Sequence, residues 1–184
     1  MDPNRLLPCA ALLLGLSACG PGGDPPAAHP EVTAVAQAPD ADPHVLLARG
    51  EYLIRTTGCN DCHTAGYAER QGEVDPSQWL TGSPLGYKGP WGTTYAANLR
   101  LKLADMDEDQ WLDYSAKLRT RPIMPDFSLR AMNRDDRRAI FHFIKSLGPA
   151  GAPAPAYLPP GQDPPLPYFE LVMPAAPATA VGSP

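Results

Sequence analysis

Cysteine is scarce in this chain: four thiols in 184 residues, at positions 9, 19, 59 and 62. Two of them fall in the N-terminal segment, which excludes a disulfide-built scaffold for the remainder. Basic blocks are missing as well. Residues 44–149 hold 14 of the 15 Lys and Arg but also 13 of the 20 Asp and Glu, so this part is nearly neutral. The flanks carry Arg5 alone against seven acids, which accounts for the formal charge of −5. Such a balance offers nothing to nucleic acid, and no nucleic-acid partner is expected. Long apolar runs are also absent. Leu6 to Ala18 covers only 13 residues, too short to cross a bilayer comfortably.

What the chain has in plenty is proline and glycine, 24 and 16 residues, and they are unevenly placed. They crowd residues 20–43 and 150–184, whereas 44–149 carries most of the aromatic and periodic apolar positions. One domain of ordinary size with a tail on each side is therefore expected, not two domains. Residues 1–19 read as a targeting segment and are set apart from the fold. Their end, Leu16-Ser17-Ala18-Cys19-Gly20, resembles a bacterial lipoprotein signal, which is cut before a cysteine that then carries lipid. The alternative is an ordinary secretory signal, although that would prefer a small residue where Leu16 stands. Residues 20–43 lack periodicity and read as a flexible tether, with His29 a solvated linker histidine. In the tail at 150–184, ten of 35 residues are Pro, yet Leu166 to Met173 is apolar enough to dock in extended form.

Within 44–149 the helix signals are local and chemical. Asp42 is suited to cap a helix with Pro43 in its first position; Leu46, Leu47, Gly50, Leu53 and Ile54 keep helical spacing, and Gly58 stops it. Gly50 in mid-helix costs roughly 1 kcal/mol against Ala, which close approach of another helix would offset; the alternative is a merely tolerated glycine. A second helix is capped by Asp107, with Gln110 completing a capping box and Met106 stapling onto Trp111, and runs to about Leu118 or Arg119. The last helix begins at Asn133, presents Ile140, Phe143, Ile144 and Leu147, and ends at Gly148-Pro149. Residues 64–104 show little periodicity, and so long a connection needs something in its middle to wrap. Trp79, Leu80, Leu85, Tyr87, Trp91, Tyr95 and Leu99 supply the surface to wrap it.

The chemistry is concentrated in Cys59-Asn60-Asp61-Cys62-His63. Two thiols three residues apart followed at once by histidine form the attachment signature of a c-type haem. The sulfurs reach the two vinyl groups of one porphyrin and form thioethers, and His63 then has only to point its imidazole at the iron. A zinc half-site or a disulfide is the competing reading. Zinc lacks further close ligands in the sequence, and a thioredoxin-like pair lacks its βαβ context.

His63 leaves one axial position on the iron. Met124 lies in Arg121-Pro122-Ile123-Met124-Pro125-Asp126-Phe127, where two prolines bar helix and stiffen the loop, so a thioether can be held with little entropy loss. The alternative for Met124 is a gap-filling core methionine. Met132 reads as core, Met173 lies in the tail, and His142 falls off its helix's apolar stripe. Arg119, Arg121 and Arg130 flank this loop, and Arg134, Arg137 and Arg138 open the next helix. They form either a docking surface for an acidic partner or a solvated face offset by Asp126, Asp135 and Asp136.

With these residues in view, the chain resembles the class I c-type cytochromes of bacteria, especially those accompanying periplasmic dehydrogenases. The resemblance rests on Arg49-Gly50-Glu51-Tyr52-Leu53, the Cys59-to-His63 signature, Gly89-Pro90-Trp91-Gly92-Thr93-Thr94-Tyr95 with Asn98, Met124-Pro125 and the last helix. It implies an all-α class I cytochrome c fold around one covalent haem c, with first and last helices crossing near Gly50. It implies His63 and Met124 as axial iron ligands and a Pro90 carbonyl accepting the His63 ring N–H. The expected function is electron transfer between a dehydrogenase or quinol-linked donor and a downstream acceptor, with redox proteins as partners, no small-molecule substrate and no catalytic residues. The expected location is the periplasmic side of a bacterial membrane, lipid-anchored or, failing that, soluble. A haem enzyme or gas sensor with an open or labile sixth iron site is the rival reading.

Overall fold

The structure is a computed structural model that describes residues 42–172 and 174. The targeting segment with Cys9 and Cys19, nearly all of the tether with His29, and Met173 lie outside the described residues. Helix α1, Pro43–Thr56, starts as its sequence predicts: the Asp42 carboxylate accepts from the His44 amide at 2.9 Å, and Pro43 stands in the first turn. It packs across helix α6, Arg134–Ser146, which the Asn133 side chain caps by accepting from the Asp136 amide at 2.7 Å. Gly50 sits at the crossing. A Cβ there would come within 2.5 Å of Phe143 Cβ and closer still to the Ala139 carbonyl oxygen.

Between these two helices lie the short α2, Cys59–His63, and then a long connection. That connection is more regular than its composition suggests. It contains a 3-10 turn at Pro76–Gln78, strands β1 (Gly86–Gly89) and β2 (Gly92–Tyr95), and the one-turn α3, Leu99–Lys102. β1 and β2 form an antiparallel hairpin around Pro90-Trp91, with Gly89 opposite Gly92. Four-residue strands rich in glycine carry no readable alternation. Two glycines bracketing a two-residue loop were the available hairpin signal.

Helix α4, Glu108–Lys117, follows with both arms of the predicted capping box in place: the Gln110 amide on Asp107 at 2.8 Å and the Asp107 amide on Gln110 at 3.0 Å. A further helix, α5, Asp126–Ala131, was not legible, since six residues after proline with no side-chain cap show no period. The tail docks. Strand β3, Tyr168–Glu170, pairs parallel with β1, completing a sheet of order β2-β1-β3, and Leu158 exchanges both amide hydrogen bonds with Thr93. The fold is thus mostly helical with one small sheet.

Leu53, Ile54, Trp79, Leu80, Leu103, Trp111, Leu112, Ile140, Phe143 and Ile144 fill the core between the helices. Trp79 and Leu80, expected among the wrapping residues, belong to this core and are essentially inaccessible. The Trp79 ring lies against Phe143 and edge-on to Tyr67, and its N–H reaches the Val74 carbonyl at 2.8 Å.

Candidate haem-attachment site

Helix α1 ends at Thr56 and is capped by Thr57, and Gly58 turns the chain with φ of +77°, a conformation that favours glycine. The next residue opens α2, so Cys59 and Cys62 lie three apart on one turn and share a face. Both are half-buried free thiols. Cys59 Sγ lies 3.4 Å from the Thr57 hydroxyl, and burial pushes its thiol up from the ordinary value. Burial raises the pKa of the Tyr87 phenol on β1, and the neighbouring Cys62 thiol raises it further. Inside the turn, Thr64 Oγ1 donates to Asn60 Oδ1 at 2.7 Å and accepts from the Leu80 amide at 2.8 Å. That buried pair fixes α2 to the core.

His63 is 9 % exposed, and its Nδ1 lies 2.7 Å from the Ala97 carbonyl oxygen. A carbonyl can only accept, so Nδ1 carries the proton and Nε2 keeps its lone pair. Burial lowers the pKa of this imidazole, more than the Ala97 carbonyl raises it, so it stays in its neutral, ligating form. Here the structure corrects an expectation: the carbonyl that orients His63 belongs to Ala97, not Pro90. Pro90 occupies the exposed turn of the hairpin. Ala97 is held in place because the Gly82 amide donates to the His63 carbonyl, the Ser83 amide donates to the Ala96 carbonyl, and Asn98 caps α3. An alanine backbone oxygen leaves no mark in sequence.

Met124 is half-buried but does not pack on the helical core, whereas Met106 and Met132 do. Its loop is tied at both ends. Thr94 Oγ1 donates to the Pro122 carbonyl at 2.7 Å, the Asp126 amide donates to the Met124 carbonyl at 2.9 Å, and Asp126 Oδ2 accepts from the Thr120 amide at 2.6 Å. His142 is engaged elsewhere, its Nε2 2.6 Å from Glu108. The arginines are largely spoken for too. Arg130 pairs with Asp126, Arg134 with Asp109, Arg138 with Glu108, Arg137 donates to the Leu112 carbonyl, and Arg121 stacks on Tyr157.

The chain matches the family model described as cytochrome c over residues 47–148. It belongs to the cytochrome c family. Two similar proteins are the cytochrome c subunits of alcohol dehydrogenase (quinone) from Gluconacetobacter polyoxogenes and Komagataeibacter europaeus, each 30% identical over 132 residues. The match covers 66% of this chain and 26% of each relative, so the chain spans about a quarter of their length. No solved structure matches significantly. The helical fold is that of a class I c-type cytochrome, and the cofactor of the family is covalent haem c with its iron.

The residues fit that group. Two unpaired thiols share one turn beside an imidazole whose Nε2 has no hydrogen-bond partner among the described residues. On β2, the Thr93 and Tyr95 hydroxyls are buried without a hydrogen-bond partner among the described residues, as side chains facing a missing polar neighbour would be. By contrast, no group of three or more His, Cys, Asp or Glu among the described residues is placed to hold a metal ion, so the zinc reading finds no ligand set. This cytochrome is an electron-transfer haem protein.

Proposed function

We propose that this cytochrome is a lipid-tethered, single-haem electron carrier on the periplasmic side of a bacterial membrane. It passes electrons from a dehydrogenase or quinol-linked donor to a downstream redox protein. The observation that carries the reading is His63, whose N–H is committed to Ala97 and whose Nε2, beside two unpaired thiols, has no hydrogen-bond partner among the described residues. On this reading Cys59 and Cys62 would hold the haem through thioethers, and His63 Nε2 and Met124 Sδ would be the ligands to its iron. When bound, the haem iron supplies one-electron chemistry between its ferric and ferrous states. The protein's part is to hold both ligands through that change, shield the ring from water and favour the reduced state with a soft thioether. The Ala97 hydrogen bond fixes the plane of the imidazole and raises its basicity.

The test is optical. The purified protein is expected to show low-spin Met/His iron, and Met124→Ala is expected to show a water-filled or labile sixth site and a lower potential. High-spin ferric iron in the native protein would favour a haem enzyme or gas sensor. An unchanged spectrum in Met124→Ala would move the ligand elsewhere.

The tether rests on Leu16-Ser17-Ala18-Cys19-Gly20. Among the described residues no helix is long and apolar enough to cross a membrane. Acyl chains contribute about 0.8 kcal/mol per buried methylene, and two or more hold a protein stably. Cys19→Ser is expected to release the protein from the membrane fraction or leave its precursor unprocessed. A native protein that fractionates as soluble and unlipidated would make the segment an ordinary secretory signal. The likeness to dehydrogenase cytochrome subunits supports a dehydrogenase as donor.

A further inference from the structure

The family match ends at residue 148, but the described chain continues over the hairpin and reaches the loop that carries Met124. Three contacts close a ring there. The Arg121 guanidinium carbon lies 3.8 Å from the centroid of the Tyr157 ring. The Tyr157 hydroxyl donates to the Trp91 carbonyl at 2.8 Å, at the tip of the hairpin. From the same hairpin, Thr94 Oγ1 donates to the Pro122 carbonyl, one residue past Arg121. Next to Tyr157, Leu158 is locked to Thr93 by two backbone hydrogen bonds of 2.8 and 3.0 Å. The Leu158 carbonyl lies where a Cβ on Gly92 would fall, so the tail seats on a position kept clear by glycine. Tyr157 is therefore anchored on β2 at its backbone side and on Trp91 at its hydroxyl, with its ring face given to Arg121.

We propose that Tyr157 is a positioning residue for the axial methionine: by stacking on Arg121 it holds the Met124 loop against the hairpin and so keeps the sixth ligand on the iron. The proposal rests on the assignment of Met124 as that ligand. Arg121 is three residues from Met124, and the two prolines between and after them leave the loop few ways to move without carrying Met124 along. The Thr94 bond restrains one side of this segment, and the Arg121 stack restrains the other. Between the two, the stack is the contact that only the C-terminal segment supplies.

The test reads ligand exchange, not electron-transfer rate. Exogenous imidazole binds ferric iron by displacing the thioether, so its affinity measures how firmly Met124 is held. Losing an Arg–aromatic stack at a partly exposed site together with the order it imposes is expected to raise imidazole affinity about tenfold. Tyr157→Leu and Arg121→Gln are each expected to give that rise in the full-length haem protein. The double variant is expected to add little, because both changes break one contact. Arg121→Gln leaves the tail intact, so it still reports if Tyr157→Leu fails to fold. Tyr157→Phe keeps the ring and is expected to stay nearer the native affinity. Native imidazole affinity in both single variants overturns the proposal, as do single effects that multiply in the double variant. Met124→Ala run beside them separates the two assignments. If that variant keeps the native spectrum and affinity, the axial reading has failed and the positioning role falls with it. If it binds imidazole freely while Tyr157→Leu and Arg121→Gln do not, only the positioning role is lost.

Discussion

At the scale of single residues, Gly50 shows how contact geometry overrides propensity. Replacing a helical glycine with alanine would by itself stabilise the helix by roughly 1 kcal/mol. Here the new methyl meets the Ala139 carbonyl and Phe143 Cβ, and a backbone oxygen inside a packed helix cannot swing aside. Overpacking of this kind costs about 1–3 kcal/mol, so the net sign reverses. Gly50→Ala is expected to lower the midpoint of urea unfolding, with an unchanged slope. His63 illustrates the same dependence on surroundings. Its tautomer is set by one backbone oxygen, that of Ala97, and a substitution at 97 that preserves the backbone is compatible with it.

At the scale of elements, the last helix ends on a buried cation. Arg100, on α3, is 7 % exposed and donates to the Ser77 carbonyl at 2.7 Å and to the carbonyls of Leu147 and Gly148. Burial lowers its pKa, yet a guanidinium stays charged, and the open carbonyls of a helix C-terminus are a suitable counterpart. The same residue thus ties α3, the 3-10 turn and the end of α6 together. Arg100→Met keeps the bulk and leaves three carbonyls without their donor. A loss of about 3 kcal/mol is expected, read from thermal or urea unfolding, with Arg100→Lys recovering part of it. A change within ±0.5 kcal/mol would mean that water replaces the guanidinium at all three carbonyls.

At the scale of the whole molecule, α4 and α6 are joined by a charged seam. Glu108 accepts from His142 at 2.6 Å and from Arg138 at about 3.0 to 3.1 Å. Burial would raise this carboxyl, but the hydrogen bonds from His142 and Arg138 and their charges outweigh it and hold the group below its ordinary 4.5. A depressed carboxylate stabilises the fold above its unfolded pKa and ceases to do so as pH falls through its folded value. The stability advantage of the native protein over Glu108→Gln is therefore expected to be full near neutrality and to vanish on acidification below the ordinary carboxylate range. A difference that stays constant through that range would assign the effect to packing. The same seam bears on partner docking. Arg134 and Arg138 pair with Asp109 and Glu108, not with Asp135 or Asp136, and Arg137 donates to the Leu112 carbonyl, so this part of the basic cluster is engaged within the molecule and supports a charge-offset face over a docking surface.

What the sequence determined by itself was local. The Cys59–His63 spacing, the Asp42, Asp107 and Asn133 caps, the apolar stripe of α6 and the demand of Gly50 for a close neighbour all act within a few residues or a single surface. Each was legible because its physics is short-ranged. Tertiary structure decided what depends on backbone atoms brought from far along the chain. Ala97, not Pro90, orients His63, because 34 residues separate them and a carbonyl has no side chain to announce it. The sheet arises because β3 finds β1 some 80 residues upstream. Neither short strand is stable enough alone to leave a pattern, so their pairing exists only once the helices have fixed where the hairpin and the tail meet.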